Sequence, residues 1–113
     1  MSEEGIKYDC GKLEWSQLVP EFLQGMIRVL MLGAKKYRDF NWQFVEPWDV
    51  RYYNSAKRHL EDWWMGKTID SESNEHALLH AACGLMFLWW CEVIGKKTRT
   101  LIGSIPQKPK SKT

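Results

Sequence analysis

The sequence predicts an all-α protein: three main helices behind an N-terminal arm, packed as a helical bundle that oligomerisation completes. Three observations carry this reading. Apolar residues recur at helical spacing in three segments, no segment alternates with period two, and the third segment is apolar nearly all round. At 113 residues the chain has room for one domain. Seven Trp, four Tyr and four Phe are a large aromatic load for that length. The area they bury must lie in a dense core or between copies of the chain, so a homodimer or homotetramer is expected.

Each element has a local cause. Residues 1–17 show no sustained period and contain Gly5 and Gly11, so they read as an ordered arm. Pro20 and Glu21 open the first helix, because proline is tolerated in a first turn and an acid suits the dipole there. Phe22, Met26, Val29, Gly33 and Tyr37 follow at helical spacing, giving a helix over roughly residues 19–37. An aromatic loop, R-D-F-N-W-Q-F-V-E-P, comes next. Pro47 and Asp49 open a second helix that runs to about Met65, with Tyr52, Ala56, His59 and Trp63 on one stripe. Gly66 ends it. A loop over Lys67–Asn74 follows, with Ser73 placed to cap a third helix from Asn74 to about Ile94. Its run of Leu78, Leu79, Ala82, Leu85, Met86, Phe87, Leu88, Trp89 and Trp90 must be buried on most faces. Two further helices of one chain hardly suffice for that.

Charge divides the chain into a domain over residues 1–95 and a basic, flexible tail over residues 96–113. Lys96, Lys97, Arg99, Lys108, Lys110 and Lys112 have no acid among them. Removing those six from the 16 basic residues leaves 10 against 14 acids, so the domain is mildly acidic. A specific nucleic-acid polymer is therefore not an expected partner. Cys10, Cys83 and Cys91 are odd in number and lack C-x-x-C spacing, which fits neither a disulfide framework nor a zinc knuckle. Met1 to Gly5 is polar and acidic, unlike a secretory leader. The apolar run from Ala81 to Cys91 is shorter than the ~20 residues a bilayer requires. A reducing, cytoplasmic setting without a membrane partner is expected.

The titratable chemistry concentrates around K-T-I-D-S-E-S-N-E-H-A-L-L-H, residues 67–80. All three histidines, His59, His76 and His80, fall within 22 residues on two helices joined by a short loop. His59 and Asp62 are i and i+3, so they share a helix face; His76 and His80 are i and i+4, with Glu72 one turn earlier. If the two faces meet, these five side chains offer imidazole and carboxylate donors to a divalent metal. The same residues also read as core histidines and as acids that cap a helix or complement its dipole. There is no H-E-x-x-H, Gly-rich phosphate loop or nucleophile elbow. A second stretch, G-A-K-K-Y-R-D-F-N-W, places Tyr37, Phe40 and Trp42 beside Asn41. Such residues either pack in a core or stack on and hydrogen-bond a nucleobase.

Five blocks in order carry a family resemblance over roughly residues 7–90. They are K-Y-D-C-G-K-L-E-W-S-Q-L-V-P (Lys7 to Pro20), V-L-M-L-G-A-K-K-Y with N-W (Val29 to Tyr37, Asn41, Trp42), R-H-L-E-D-W-W-M-G-K (Arg58 to Lys67), D-S-E-S-N (Asp70 to Asn74) and H-A-A-C-G-L-M-F-L (His80 to Leu88). Together they resemble the dATP/dGTP diphosphohydrolase family of phages and prophages. Where that family's pattern has Gly after E-S, this chain has Asn74, which tolerates the left-handed backbone conformation. Ala77 replaces a usual His, with His76 one residue away, and Gly84 replaces a usual Asn.

The resemblance implies an all-α nucleotide pyrophosphohydrolase akin to the MazG-like enzymes, which convert a nucleoside triphosphate to the monophosphate and pyrophosphate with Mg²⁺ or Mn²⁺. On that footing Asp62, Glu72 and His80, with His59 or His76, are expected to hold metal. Glu72 or Glu61 orients or deprotonates water. Lys7, Lys12 and Lys36 balance phosphate charge, Tyr37, Asn41 and Trp42 face the base, and Asp9 of the arm joins the substrate-binding set. Two rival readings are a non-catalytic helical module whose aromatics and histidines form an oligomer interface, and a metal-dependent phosphohydrolase of nucleoside monophosphates.

Overall fold

Three helices form where the apolar periodicity places them. The computed structural model describes residues 4–100, and its regular structure is helical throughout. Helix α1 spans Pro20–Lys36, α2 spans Trp48–Trp64 and α3 spans Ala77–Trp89. Short 3₁₀ turns at Trp15–Gln17 and Asn41–Gln43 punctuate the arm and the first loop. Pro20 stands at the start of α1 with Glu21 in its first turn, and Lys35 and Lys36 close it, the charge order a helix dipole favours. Gly66 takes φ +92° just past α2, a conformation glycine reaches without a Cβ penalty.

The third helix departs from expectation at both ends. It starts at Ala77 rather than Asn74, and its N-cap is His76, whose Nδ1 accepts from the Leu78 amide at 3.0 Å. Asn74 takes φ +60°, which cannot enter a right-handed helix, and the Ser73 hydroxyl is engaged elsewhere. Beyond Trp89 the backbone widens into a π-helical turn over Trp90–Ile94, closed by the Gly95 amide on the Trp90 carbonyl at 2.8 Å.

The core is built around α3, which packs most extensively on α2 and next on α1. Trp48, Ala56, Ala77, Leu79, Ala81, Cys83 and Cys91 are buried. Two close approaches set this packing. A Cβ on Gly84 of α3 would stand 3.1 Å from the Ala56 Cβ of α2, and one on Gly25 of α1 would stand 2.5 Å from Leu79 Cδ1 of α3. The apolar surface is not consumed within one chain: Ile27, Met31, Leu85 and Trp89 remain exposed. By length and composition Ala77–Ile94 is apolar enough to cross a membrane, with mean hydropathy 1.7. A core helix shares those properties, and α3 packs on both its neighbours.

Residues 96–100, expected to open the tail, are pinned to the start of α2. Lys97 Nζ donates to the Gln43 carbonyl (2.8 Å) and Glu46 Oε2 (2.6 Å), and Trp48 Nε1 donates to the Thr98 carbonyl. Buried Asp49 accepts from the amide and hydroxyl of Thr100. Lys108, Lys110 and Lys112 lie outside the described residues.

Candidate functional site

The loop between α2 and α3 folds back on itself and carries most of the candidate chemistry. The Asp70 amide donates to the Glu75 carbonyl (2.9 Å), the Ala77 amide to the Thr68 carbonyl (2.8 Å) and the Asn74 amide to the Asp70 carbonyl (2.8 Å). Asn74 supplies the left-handed residue this reversal needs, as the Gly of the family pattern would. Two ion pairs tie the loop to α1. Arg28 makes a forked contact to Glu75 (2.9 and 3.1 Å), and Lys36 Nζ reaches Glu72 Oε1 at 2.8 Å.

At the α2–α3 junction the His59 and His80 rings stack, with centroids 4.5 Å apart and planes 17° from parallel. The short Gly84–Ala56 contact, one helical turn along each helix, allows this approach. On the loop side, Ser73 Oγ lies 2.6 Å from His80 Nε2 and 2.8 Å from Asp70 Oδ2, which also accepts from the Ser73 amide at 2.9 Å. Asp70 Oδ2 is 3.6 Å from His80 Nε2. Four side chains therefore meet in a row: Asp70, Ser73, His80 and His59.

Their charges follow from these contacts. Desolvation is the largest influence on Asp70 and pushes its carboxyl up, but the amide and hydroxyl of Ser73, followed by the two imidazoles, outweigh it. The carboxyl lies below its usual range and is an anion near neutrality. Burial, and then the neighbouring His80, push His59 below the ordinary imidazole value, against the pull of Asp70 and Asp62. Glu75 is lowered first by its hydrogen bond to Arg28. The row pairs a carboxylate with a hydroxyl and two imidazoles, one of them held towards neutrality.

The residues expected from sequence are spread more widely. His59 and His80 come together as anticipated, and Asp62 is half-buried on the same helix as His59. Glu72 is largely exposed and paired with Lys36, so two residues expected to serve metal and phosphate instead bind each other. His76 uses Nδ1 as a helix cap. Glu61 is exposed on α2 beside a shallow surface lined by Asn54, Lys57 and Arg58. Trp42 stacks on Phe87 (centroids 4.7 Å), meets Trp90 edge-on, and its carbonyl accepts from Tyr52 Oη, so its ring serves packing. Tyr37 is exposed beneath the Lys36 ammonium, and Asn41 is half-buried in a 3₁₀ turn. Lys7, Asp9 and Lys12 are exposed on the arm, where the Lys12 amide closes a turn on the Asp9 carbonyl. Asp70 and Ser73 were missed as site residues. The D-x-x-S spacing, in which an Asp side chain accepts from a backbone amide three residues on, was the available signal.

Among the described residues, no three His, Cys, Asp or Glu side chains stand close enough to share one metal ion. A Mg²⁺ ion that arrives on phosphates makes a smaller demand, one or two carboxylates with the remaining positions filled by substrate and water. Asp70, 3.6 Å from His80 Nε2, is a carboxylate of that kind, and Asp62 lies three residues along α2 from His59.

Fold and site together define a small all-helical protein with a carboxylate–hydroxyl–imidazole row at one helix junction. Comparison with known proteins narrows this class. The family described as "dATP/dGTP diphosphohydrolase, N-terminal" matches residues 2–100, and the chain belongs to it. A protein of Salmonella phage PMBT28 named "dATP/dGTP diphosphohydrolase" is 38% identical over 86 residues, which is 76% of this chain. The chain spans 29% of the length of that relative. No solved structure matches the chain.

Proposed function

We propose that this chain is a metal-dependent nucleotide diphosphohydrolase that converts a purine deoxynucleoside triphosphate, dATP or dGTP, to the monophosphate and pyrophosphate. The observation that carries the reading is the family match across residues 2–100, which takes in both helices of the imidazole pair and the whole loop between them. The reaction cleaves the α–β phosphoanhydride with water. Bound Mg²⁺ or Mn²⁺ would neutralise phosphate charge and lower the pKa of bound water. Asp70 or Asp62, with an imidazole of His59 or His80, would supply one or two positions to an ion that substrate phosphates and water otherwise coordinate, and Glu72 would join if its pairing with Lys36 opens. His80 would supply an imidazole that can take a proton from a nearby water. A triphosphate competes with Glu72 for Lys36 and with Glu75 for Arg28, which brings both cations to the nucleotide. The exposed apolar residues of α1 and α3 support assembly as a homodimer or homotetramer.

Incubation with each dNTP plus Mg²⁺ or Mn²⁺, followed by chromatography, tests this. Pyrophosphate and dNMP are expected, with turnover lost in His80→Ala and reduced in Glu72→Gln. Lys36→Ala should raise KM with helicity unchanged. Orthophosphate as the sole product from a monophosphate would replace the reading with a monophosphate phosphohydrolase. No turnover of any nucleotide, with unchanged oligomer mass in the variants, would favour a non-catalytic oligomerisation module.

A further inference from the structure

The protons around Ser73 can be counted. A serine hydroxyl has one proton to donate and two lone pairs to accept with. Three groups surround Ser73 Oγ: Asp70 Oδ2 at 2.8 Å, His80 Nε2 at 2.6 Å and the Glu75 amide at 3.2 Å. The Glu75 N–H can only donate, so it takes one lone pair. Asp70 already accepts the Ser73 amide on the same oxygen, and a carboxylate has no proton to donate, so it can only accept. If Ser73 gave its proton to His80, two oxygens would face each other at 2.8 Å with no proton between them. Donation to Asp70 satisfies every group, and His80 must then donate Nε2–H into the second lone pair of Oγ.

We propose that Ser73 is a positioning residue that holds His80 as the Nε2–H tautomer, making Nδ1 the basic nitrogen the site presents. Among the described residues Nδ1 of His80 makes no hydrogen bond. Among the described residues no buried side-chain nitrogen or oxygen lacks a partner, so Nδ1 is not sealed away from solvent there. The His80 side chain is 17% exposed, enough for a single ring edge to be wetted. Stacking on His59 restrains the ring plane from the side. Asp70 acts on His80 through the serine, because its direct separation of 3.6 Å is too long for a hydrogen bond. The device resembles the carboxylate that orients a metal-bound or catalytic imidazole, with one hydroxyl inserted. What Nδ1 then does, as base or as ligand, rests on the nucleotide-hydrolysis reading; the tautomer does not.

The test is long-range ¹H–¹⁵N NMR of the full chain in mildly alkaline solution. The wild-type spectrum is expected to show His80 protonated at Nε2, with slow exchange of that proton. Ser73→Ala should release it to fast exchange, and Ser73→Thr should restore protection. If hydrolysis is present, Ser73→Ala should lower kcat on the order of tenfold with KM unchanged. A wild-type His80 protonated at Nδ1, or an Nε2–H whose exchange is indifferent to Ser73, overturns the proposal. The wild-type spectrum decides even if Ser73→Ala does not fold. A chain that hydrolyses no nucleotide yet shows a Ser73-protected Nε2–H upholds the tautomer and overturns the function.

Discussion

Gly84→Ala tests whether the closeness of α2 and α3 is built into the sequence at one atom. An added Cβ would stand 3.1 Å from the Ala56 Cβ and 3.6 Å from its Cα. Carbon pairs are comfortable at roughly 3.5–4.0 Å, so the helices must part by a few tenths of an ångström. Ala56 has no rotamer by which to yield. Overpacking of this kind costs about 1–3 kcal/mol. Alanine recovers about 1 kcal/mol of helix propensity over glycine. The net expectation is a loss of about 0–2 kcal/mol, obtained by subtracting the second from the first. Gly33 in α1 is the internal control, because nothing lies within 4 Å of its would-be Cβ. Gly33→Ala should therefore stabilise by about 1 kcal/mol. Urea unfolding followed by helical circular dichroism reads both as midpoint shifts at constant slope. The two variants should move the midpoint differently, with Gly33→Ala the more stable by about 1–3 kcal/mol. Equal stabilisation by both would refute the close approach, and with it the reason given for the stacked histidines.

Two further outcomes follow from buried charge. Asp49→Ala removes the acceptor for the Val50 amide and for the amide and hydroxyl of Thr100. It should cost about 1–3 kcal/mol and speed hydrogen exchange at Thr100; unchanged exchange there would show that the segment is held by other contacts. His59 is depressed below 6.5 by burial and then by His80. Its unfolded state thus binds a proton more readily than the folded one, and its contribution is complete above pH 6.5 and lost as pH falls through the folded value. Thermal unfolding between neutral and mildly acidic pH should show this loss. His59→Gln should flatten that part of the profile, and an unaltered profile would place the titration elsewhere.

The helices were legible because their causes are local. Pro20, Gly66 and the spacing of apolar residues act within a few positions of where they stand. The start of α3 was misplaced by three residues for the opposite reason. Ser73 is a sound N-cap by type, but its hydroxyl is claimed by Asp70 and by His80, seven residues on. The cap fell instead to His76, which had looked like a ligand by spacing. Trp42 and Lys36 show the same limit. One found Phe87 and the other Glu72, 45 and 36 positions away, and residue type alone could not choose between those partners and a nucleotide.

By itself, then, the sequence determined the all-α class, the order of the helices, the family and the segment where titratable groups gather. Those depend on periodicity, turn residues and ordered blocks, which are written along the chain. Only the tertiary structure decided which atoms meet. It placed His59 on His80 through the Gly84–Ala56 contact, set Ser73 between Asp70 and His80, and paired Glu72 with Lys36. Hydrogen bonds and stacking act over a few ångströms, so these pairings depend on how the helices cross and how the loop reverses.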